Sequence, residues 1–113
     1  MTTNEFIQKL DGLFAAQEYE KVEPFMLSAL EEAKEREDYG LYLSVGNEMI
    51  GYYRSISRFR KAYQISEDML LLMEELHMDQ SAEFATVLLN TATAYSFDEN
   101  FEMALQFYRR AEQ

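Results

Sequence analysis

Asn100-Phe101-Glu102-Met103-Ala104 decides the fold, because two earlier stretches of the chain share its pattern at a near-fixed spacing. The earlier stretches are Glu18-Tyr19-Glu20-Lys21-Val22 and Arg58-Phe59-Arg60-Lys61-Ala62. In all three, an aromatic residue precedes a compact apolar residue by three positions. The steps between the aromatic residues are 40 (59 − 19) and 42 (101 − 59). Similarity at a period of a few tens of residues is typical of a solenoid, in which each repeat buries its apolar face on a neighbour.

Length and composition indicate a single domain with a packed core. The 113 residues are 48% apolar and include eight Phe, eight Tyr and seven Met, whereas four Gly and one Pro are too few for a turn-rich β protein. No apolar run approaches the ~20 residues that cross a membrane, and the N-terminus lacks the features of a signal peptide. The absence of cysteine fits a reducing compartment. We therefore expect a soluble, cytoplasmic, all-helical protein.

The charge of the chain argues against two classes of partner. Twenty-one acidic and ten basic residues give a net charge of −11, which repels nucleic acid and anionic membranes. The bases are unevenly placed, since residues 54–66 contain four bases and no acid. We call these four residues the basic island: Arg54, Arg58, Arg60 and Lys61. The simplest interpretation of the island is charge balance at one turn.

The spacing of apolar residues predicts six helices. The first, third and fourth helices cover roughly 3–15, 41–56 and 59–77. The second ends near Gly40, the fifth ends near Phe97, and the sixth runs from Phe101 onward. Thr2-Thr3-Asn4-Glu5 reads as a capping box for the first helix. Pro24 predicts either a kink in the second helix or a start delayed to about Glu23, because its ring clashes with the preceding turn.

The predicted hairpins resemble the tetratricopeptide repeat (TPR) family, in its long-period bacterial type of about 40–42 residues. The third hairpin carries the resemblance most clearly, with Leu88, Thr91, Ala92 and Tyr95 followed by Ala104, Tyr108 and Ala111. The resemblance implies three antiparallel helix hairpins stacked as a right-handed TPR-like α-solenoid, with repeats at roughly 3–39, 41–78 and 81–113. The chain departs from the family where its turns usually hold glycine, since these positions are occupied by Gln17, Ser57 and Glu99.

The same resemblance implies a groove that binds a protein or peptide, lined by the first helix of each hairpin. It nominates three sets of residues: Ile7, Gln8, Asp11 and Phe14; Asn47, Glu48, Gly51 and Arg54; and Leu89, Asn90, Thr93 and Phe97. The side-chain amide of an asparagine can hold an extended peptide by hydrogen bonding to the N–H and C=O of the peptide backbone. Asn47 and Asn90 can equally satisfy backbone groups between helices, so two interpretations stay open. The basic residues of a two-carboxylate clamp are missing, so we do not expect a C-terminal carboxylate as the ligand.

Residues suited to catalysis or metal binding are scarce, and we expect no enzyme activity, cofactor or metal. Glu74 and His77 have the spacing of a di-iron helix, but this chemistry needs a second such pair and the chain has one histidine. We expect His77 in the last helical turn, where the helix dipole favours a cation. With no cysteine and no glycine-rich loop, nucleophilic triads, zinc sites and phosphate cradles are not expected.

The end of the sequence suggests an alternative function. The sixth predicted helix is short, and we expect Phe101, Leu105 and Tyr108 to pack on the fifth helix. Met103 and Phe107 then point toward a missing neighbour. The chain is accordingly either a fragment of a longer array or a homodimer that pairs through this edge. Three hypotheses follow: a non-enzymatic interaction module for a protein or peptide, a self-association module and, least supported, an enzyme with an acidic cleft.

Overall fold

The computed structural model describes all 113 residues as helices joined by short turns, with no strand. The six α-helices are α1 (Thr3–Ala15), α2 (Val22–Glu35), α3 (Tyr39–Ser55), α4 (Phe59–Glu75), α5 (Ala82–Phe97) and α6 (Phe101–Glu112). A 3-10 turn over Tyr19–Lys21 precedes α2. The prediction of an all-α chain with six helices is confirmed. None of these helices combines the length and the apolar character that a bilayer crossing requires.

The chain divides into two compact units, and the boundary falls inside α3. The first unit covers Met1–Gly46, where α1 packs on α2 and the rings of Phe6 and Phe25 stack with centroids 5.4 Å apart. The second unit covers Asn47–Gln113, where α5 packs on both α4 and α6. Its buried apolar side chains include Met49, Ile50, Ala62, Met69, Met73, Leu88, Ala92 and Ala104.

The start of α1 has the predicted capping box. The Thr2 hydroxyl accepts a hydrogen bond from the Glu5 backbone N–H at 3.1 Å, and the Glu5 carboxylate accepts one from the Thr2 backbone N–H at 3.0 Å. These bonds satisfy two N–H groups that have no partner within the helix. They also hold the pKa of Glu5 below its ordinary value, because the charged carboxylate is the better acceptor.

Pro24 is accommodated by a late helix start, as one of the two alternatives predicts. Because α2 begins at Val22, Pro24 is its third residue. The first four N–H groups of any helix lack intrahelical partners, so the missing N–H of proline breaks no bond here. The preceding 3-10 turn brings the chain to this start.

Five of the six helices end in the same motif, without glycine. Residues with φ between 53° and 59° follow α1 to α5 at near-equal steps of 20, 20, 20 and 22 residues: Gln17, Glu37, Ser57, His77 and Glu99. The N–H of Glu99 bonds to the carbonyl of Ser96 at 3.0 Å, and the next N–H, of Asn100, bonds to the carbonyl of Tyr95 at 2.9 Å. This pair of bonds is the Schellman motif, which the other four ends repeat. The turns therefore adopt the left-handed conformation that usually selects glycine.

Three details of the predicted helices are wrong. The second helix ends at Glu35 and not near Gly40, which is the second residue of α3. His77 lies beyond the end of α4 and is the left-handed residue of the turn, so it does not occupy the last helical turn. Leu43, expected inward on α3, is half-buried. The buried residues of that stretch are its neighbours Leu41, Tyr42 and Val45.

Candidate functional site

A pair of asparagines joins α3 to α5 within the second unit. The side-chain nitrogen of Asn90 donates a hydrogen bond to the side-chain oxygen of Asn47 at 2.9 Å. Both residues are half-buried, and no buried polar side-chain atom of the chain lacks a hydrogen-bond partner. The amide atoms that this bond leaves unused, the Asn47 nitrogen and the Asn90 oxygen, are therefore not fully buried. They are one donor group and one acceptor.

Two turns further along the same helices, an arginine meets a phenylalanine. The guanidinium carbon of Arg54 lies 5.0 Å from the centroid of the Phe97 ring, within cation–π distance. The asparagine pair and this pair have the same sequence separation, 43 residues (90 − 47 and 97 − 54). The second half of α3 and the matching part of α5 consequently run in the same direction and in register.

Unoccupied space and apolar side chains surround the Asn47–Asn90 pair and the Arg54–Phe97 pair. A Cβ atom built on Gly51, which lies between Asn47 and Arg54 on α3, meets no atom within 4 Å. On α5, Leu89 is 45% exposed and Phe97 is 60% exposed. These residues are well placed for contact with a partner because they combine exposed apolar area with unsatisfied amide groups. We call the set the α3–α5 surface: Asn47, Gly51, Arg54, Leu89, Asn90 and Phe97.

The remaining predicted residues of these helices contribute less. Glu48 is exposed beside the asparagine pair. The Thr93 hydroxyl donates to the backbone carbonyl of Leu89 at 2.9 Å, so its hydrogen atom is used within α5. The sequence nominated these residues, but it did not show that Asn47 pairs with Asn90 or that Arg54 lies on Phe97. That they form a binding surface stays a prediction.

The residues nominated from the first hairpin lie in the first unit. Ile7 is half-buried on α1, and Gln8 and Asp11 are exposed. The exposed Phe14 ring lies 6.2 Å from the Tyr19 ring at a tilted angle. Their role in binding stays a prediction.

The predicted orientation of α6 is wrong. Phe107, expected to point away from α5, stacks on Tyr95 of α5 with ring centroids 5.4 Å apart, and Met103 is half-buried. Phe101 and Leu105, expected to pack on α5, are 66% and 49% exposed. The apolar residues of α6 form two overlapping stripes, and the ring of Tyr95 provides a flat partner for the stripe that contains Phe107.

Sequence reasoning missed an aromatic stack on the opposite side of α5. The rings of Tyr63 on α4 and Tyr95 on α5 stack at 4.0 Å, and Phe107 continues the stack on α6. The Tyr63 hydroxyl donates to Asp98 at 2.9 Å. The pKa of Tyr63 is raised above its ordinary value, first by burial and then by the hydrogen bond and charge of Asp98. The pKa of Tyr95 is also raised, first by burial and then by the charges of Glu67 and Asp98. Both phenols stay neutral at pH 7. We call Tyr63, Tyr95 and Phe107 the aromatic stack.

A cleft of about 250 Å³ adjoins the aromatic stack, and a second of about 560 Å³ lies near the start of α5 and the end of α6. The serine and threonine hydroxyls that line these clefts, those of Ser66, Ser81 and Thr91, all donate hydrogen bonds to backbone carbonyls. No group of three or more His, Cys, Asp or Glu side chains in the chain is close enough to hold a metal ion. The predicted pair Glu74 and His77 has exposed side chains at and beyond the end of α4.

Comparison with known proteins adds no family assignment: no protein-family model matches the chain, and no curated protein or solved structure resembles it significantly.

Proposed function

We propose that this chain is a non-enzymatic, TPR-like interaction module that binds an extended protein or peptide segment across the α3–α5 surface. Two features support the TPR-like arrangement. Helix ends recur every 20 to 22 residues, and the compact residues Val22, Ala62 and Ala104 are buried at equivalent positions in α2, α4 and α6. Small buried residues at such positions let helices approach closely. The absence of cysteine from the sequence makes the cytoplasm the expected setting.

The observation that carries the proposal is the Asn47–Asn90 pair. Each amide uses one of its two polar atoms in this bond, which holds the two side chains together. The remaining donor and acceptor match the C=O and N–H that one residue of an extended peptide presents. Leu89 and Phe97 offer apolar contacts on either side along α5. Fixed polar groups beside exposed apolar residues bind a segment without a large ordering cost.

A second candidate function is self-association through α6. The exposed pair Phe101 and Leu105 favours it, because apolar residues four positions apart form a continuous patch on a helix. Light scattering over a range of protein concentrations separates the two functions. Self-association through this patch gives a mass that rises with concentration and returns to the monomer value on Leu105→Glu.

The proposed function is tested with random heptapeptides selected for binding to the whole chain. We expect the double variant Leu89→Ala, Asn90→Ala to lose at least about tenfold in affinity for the selected peptides, since it removes one apolar contact and one pair of hydrogen bonds. A matched control is Leu27→Ala, Ser28→Ala on α2, because Leu27 is as exposed as Leu89 and also precedes a small polar residue. Selected peptides that bind the double variant as well as the unmodified chain would contradict the proposal.

A further inference from the structure

We propose that the α3–α5 surface selects acidic segments: an aspartate or glutamate side chain binds Arg54, three residues from the residue held at the Asn47–Asn90 pair. This inference rests on the proposed function and adds the chemistry and spacing of the ligand.

Arg54 has the geometry of a prepared carboxylate site. Its guanidinium lies 5.0 Å from the Phe97 ring, which holds the plane of the group in place. Arg54 makes no ion pair in the chain: the pairs Met1–Glu32, Lys21–Glu18 and Arg36–Glu32 do not involve it. No hydrogen bond uses the guanidinium N–H groups of Arg54 either. An immobilised guanidinium can donate two parallel hydrogen bonds to a carboxylate.

Acidic residues of the chain do not compete for this site. Asp98, the residue after Phe97, accepts the hydrogen bond of Tyr63 on α4 at 2.9 Å. Glu48, on the same helix as Arg54, is six positions away (54 − 48), which is not the spacing of helical neighbours. In our proposal, the ligand supplies the carboxylate that completes the arrangement.

The charge around Arg54 favours the same ligand. Arg58 and Arg60 of the basic island follow directly after α3, and both are exposed and form no ion pair. The first turn of α4 contains no acidic residue, although acids are the residues that the helix dipole favours there. The exposed acids Asp98 and Glu99 follow Phe97 at this end, so the three bases Arg54, Arg58 and Arg60 outnumber the acids by one, on a protein of net charge −11. A segment whose carboxylate lies here gains attraction that weakens with salt.

The spacing follows from helix geometry. Seven residues separate Asn47 from Arg54, and seven separate Asn90 from Phe97. Seven residues of α-helix rise about 10.5 Å. An extended peptide spans about 3.3 Å per residue, so three residues cover this distance. Because Leu89 lies beside Asn90, we expect an apolar residue and an acidic residue three positions apart, in one chain direction or the other.

The test selects random heptapeptides, fused so that no free C-terminal carboxylate is present, against the whole chain and against Arg54→Gln. We expect selected peptides to contain Asp or Glu three positions from an apolar residue. Arg54→Gln weakens their binding by at least about tenfold, the loss expected when a charge-assisted hydrogen bond is removed. Replacing the ligand acid by its amide has the same effect, and the two changes together cost no more than one. Arg109→Gln on α6 is the control for charge alone and leaves selectivity unchanged.

The outcomes separate this inference from the proposed function. Peptides that depend on Leu89 and Asn90 but show no acidic preference overturn the inference and leave the proposed function standing. If no selected peptide depends on Leu89 and Asn90, both are overturned. A shift of the Arg54 side-chain N–H resonance on adding the peptide, in the unmodified chain, reports the contact without a variant. An unshifted resonance with bound peptide contradicts it.

Discussion

The two sides of α5 use similar residues in opposite ways. On the side of α3, Asn90 and Phe97 each contact one side chain and keep unused hydrogen-bonding groups or exposed ring area. On the side of α4 and α6, Tyr95 is stacked between two rings. The hydroxyl of Tyr63 in that stack has its partner in Asp98. The α3 side keeps hydrogen-bonding groups and ring area that are available to a ligand, whereas the groups on the α4 and α6 side already contact one another.

This difference gives a criterion for separating binding residues from structural ones. Residue type does not do so, because aromatic and charged groups occur on both sides of α5. What separates them is whether the hydrogen bonds and ring faces are already satisfied within the chain. Variants on the α3 side should therefore change binding, and variants in the aromatic stack should change stability.

The largest expected effect is on the structural side. Tyr95→Ala removes a ring that stacks on Tyr63 and Phe107, so we expect the free energy of unfolding to fall by roughly 2–4 kcal/mol. Urea unfolding followed by circular dichroism measures this loss. The fraction that remains folded should bind selected peptides with unchanged affinity. A binding loss at full folding would show that the stack belongs to the ligand site.

A second stability effect is expected at the contact between α5 and α6. Ala104 is buried, and Ala104→Leu adds methylene groups where two helices approach closely. We expect a loss of about 1–3 kcal/mol in the free energy of unfolding. Gln106→Leu is the control, because Gln106 is exposed on the same helix. Equal stability of the two variants would mean that α6 packs through another face.

A smaller, opposite effect is expected at the turns. Glu99 has a φ of 59°, a conformation that disfavours side chains and suits glycine. Glu99→Gly should raise the free energy of unfolding by about 0.5–1 kcal/mol, as relief of left-handed strain exceeds the added flexibility of the unfolded chain. Differential scanning calorimetry measures the gain. Glu102→Gly, inside α6, is the control and should lower stability. A loss with Glu99→Gly would refute the strained-turn account.

The smallest expected effect is a pH dependence at the first helix. The capping box lowers the folded-state pKa of Glu5, so its contribution is present above the unfolded pKa and is lost as pH falls through the lowered value. Glu5→Gln should therefore reduce the melting temperature at pH 7 more than at pH 3. Peptide affinity should not change, since Glu5 is remote in sequence from the α3–α5 surface. Equal reductions at both pH values would contradict this assignment.

The helices were predictable because several independent signals agree. Apolar periodicity, the Thr2–Glu5 capping box and the position of Pro24 pointed to most boundaries within about two residues of those observed. The exception is the end of α2, which lies at Glu35 and not near Gly40. The shared turn conformation was not predicted, because Gln17, Ser57 and Glu99 are not residues that signal it. Periodicity also failed for α6, where Phe101, Met103, Leu105 and Phe107 allow more than one buried stripe and only the partner ring on α5 decides.

The candidate site was predictable at the level of helix faces and not of contacts. Asn47, Arg54, Asn90 and Phe97 were nominated together because the resemblance to TPR hairpins implies that the first helix of each hairpin lines a groove. Which of them meet depends on the register between α3 and α5, which periodicity within one helix does not contain. The common separation of 43 residues becomes meaningful only when both pairs are seen in contact.

The central claim is that the α3 side of α5, and not the stack side, holds the ligand. The most direct test is a selected heptapeptide with a photoreactive group at its central residue, cross-linked to the unmodified chain and mapped by mass spectrometry. Our account predicts cross-links within residues 47–54 of α3 and 89–97 of α5, on side chains of the α3–α5 surface. Cross-links concentrated on Tyr63, Leu71 or Phe107 would contradict it.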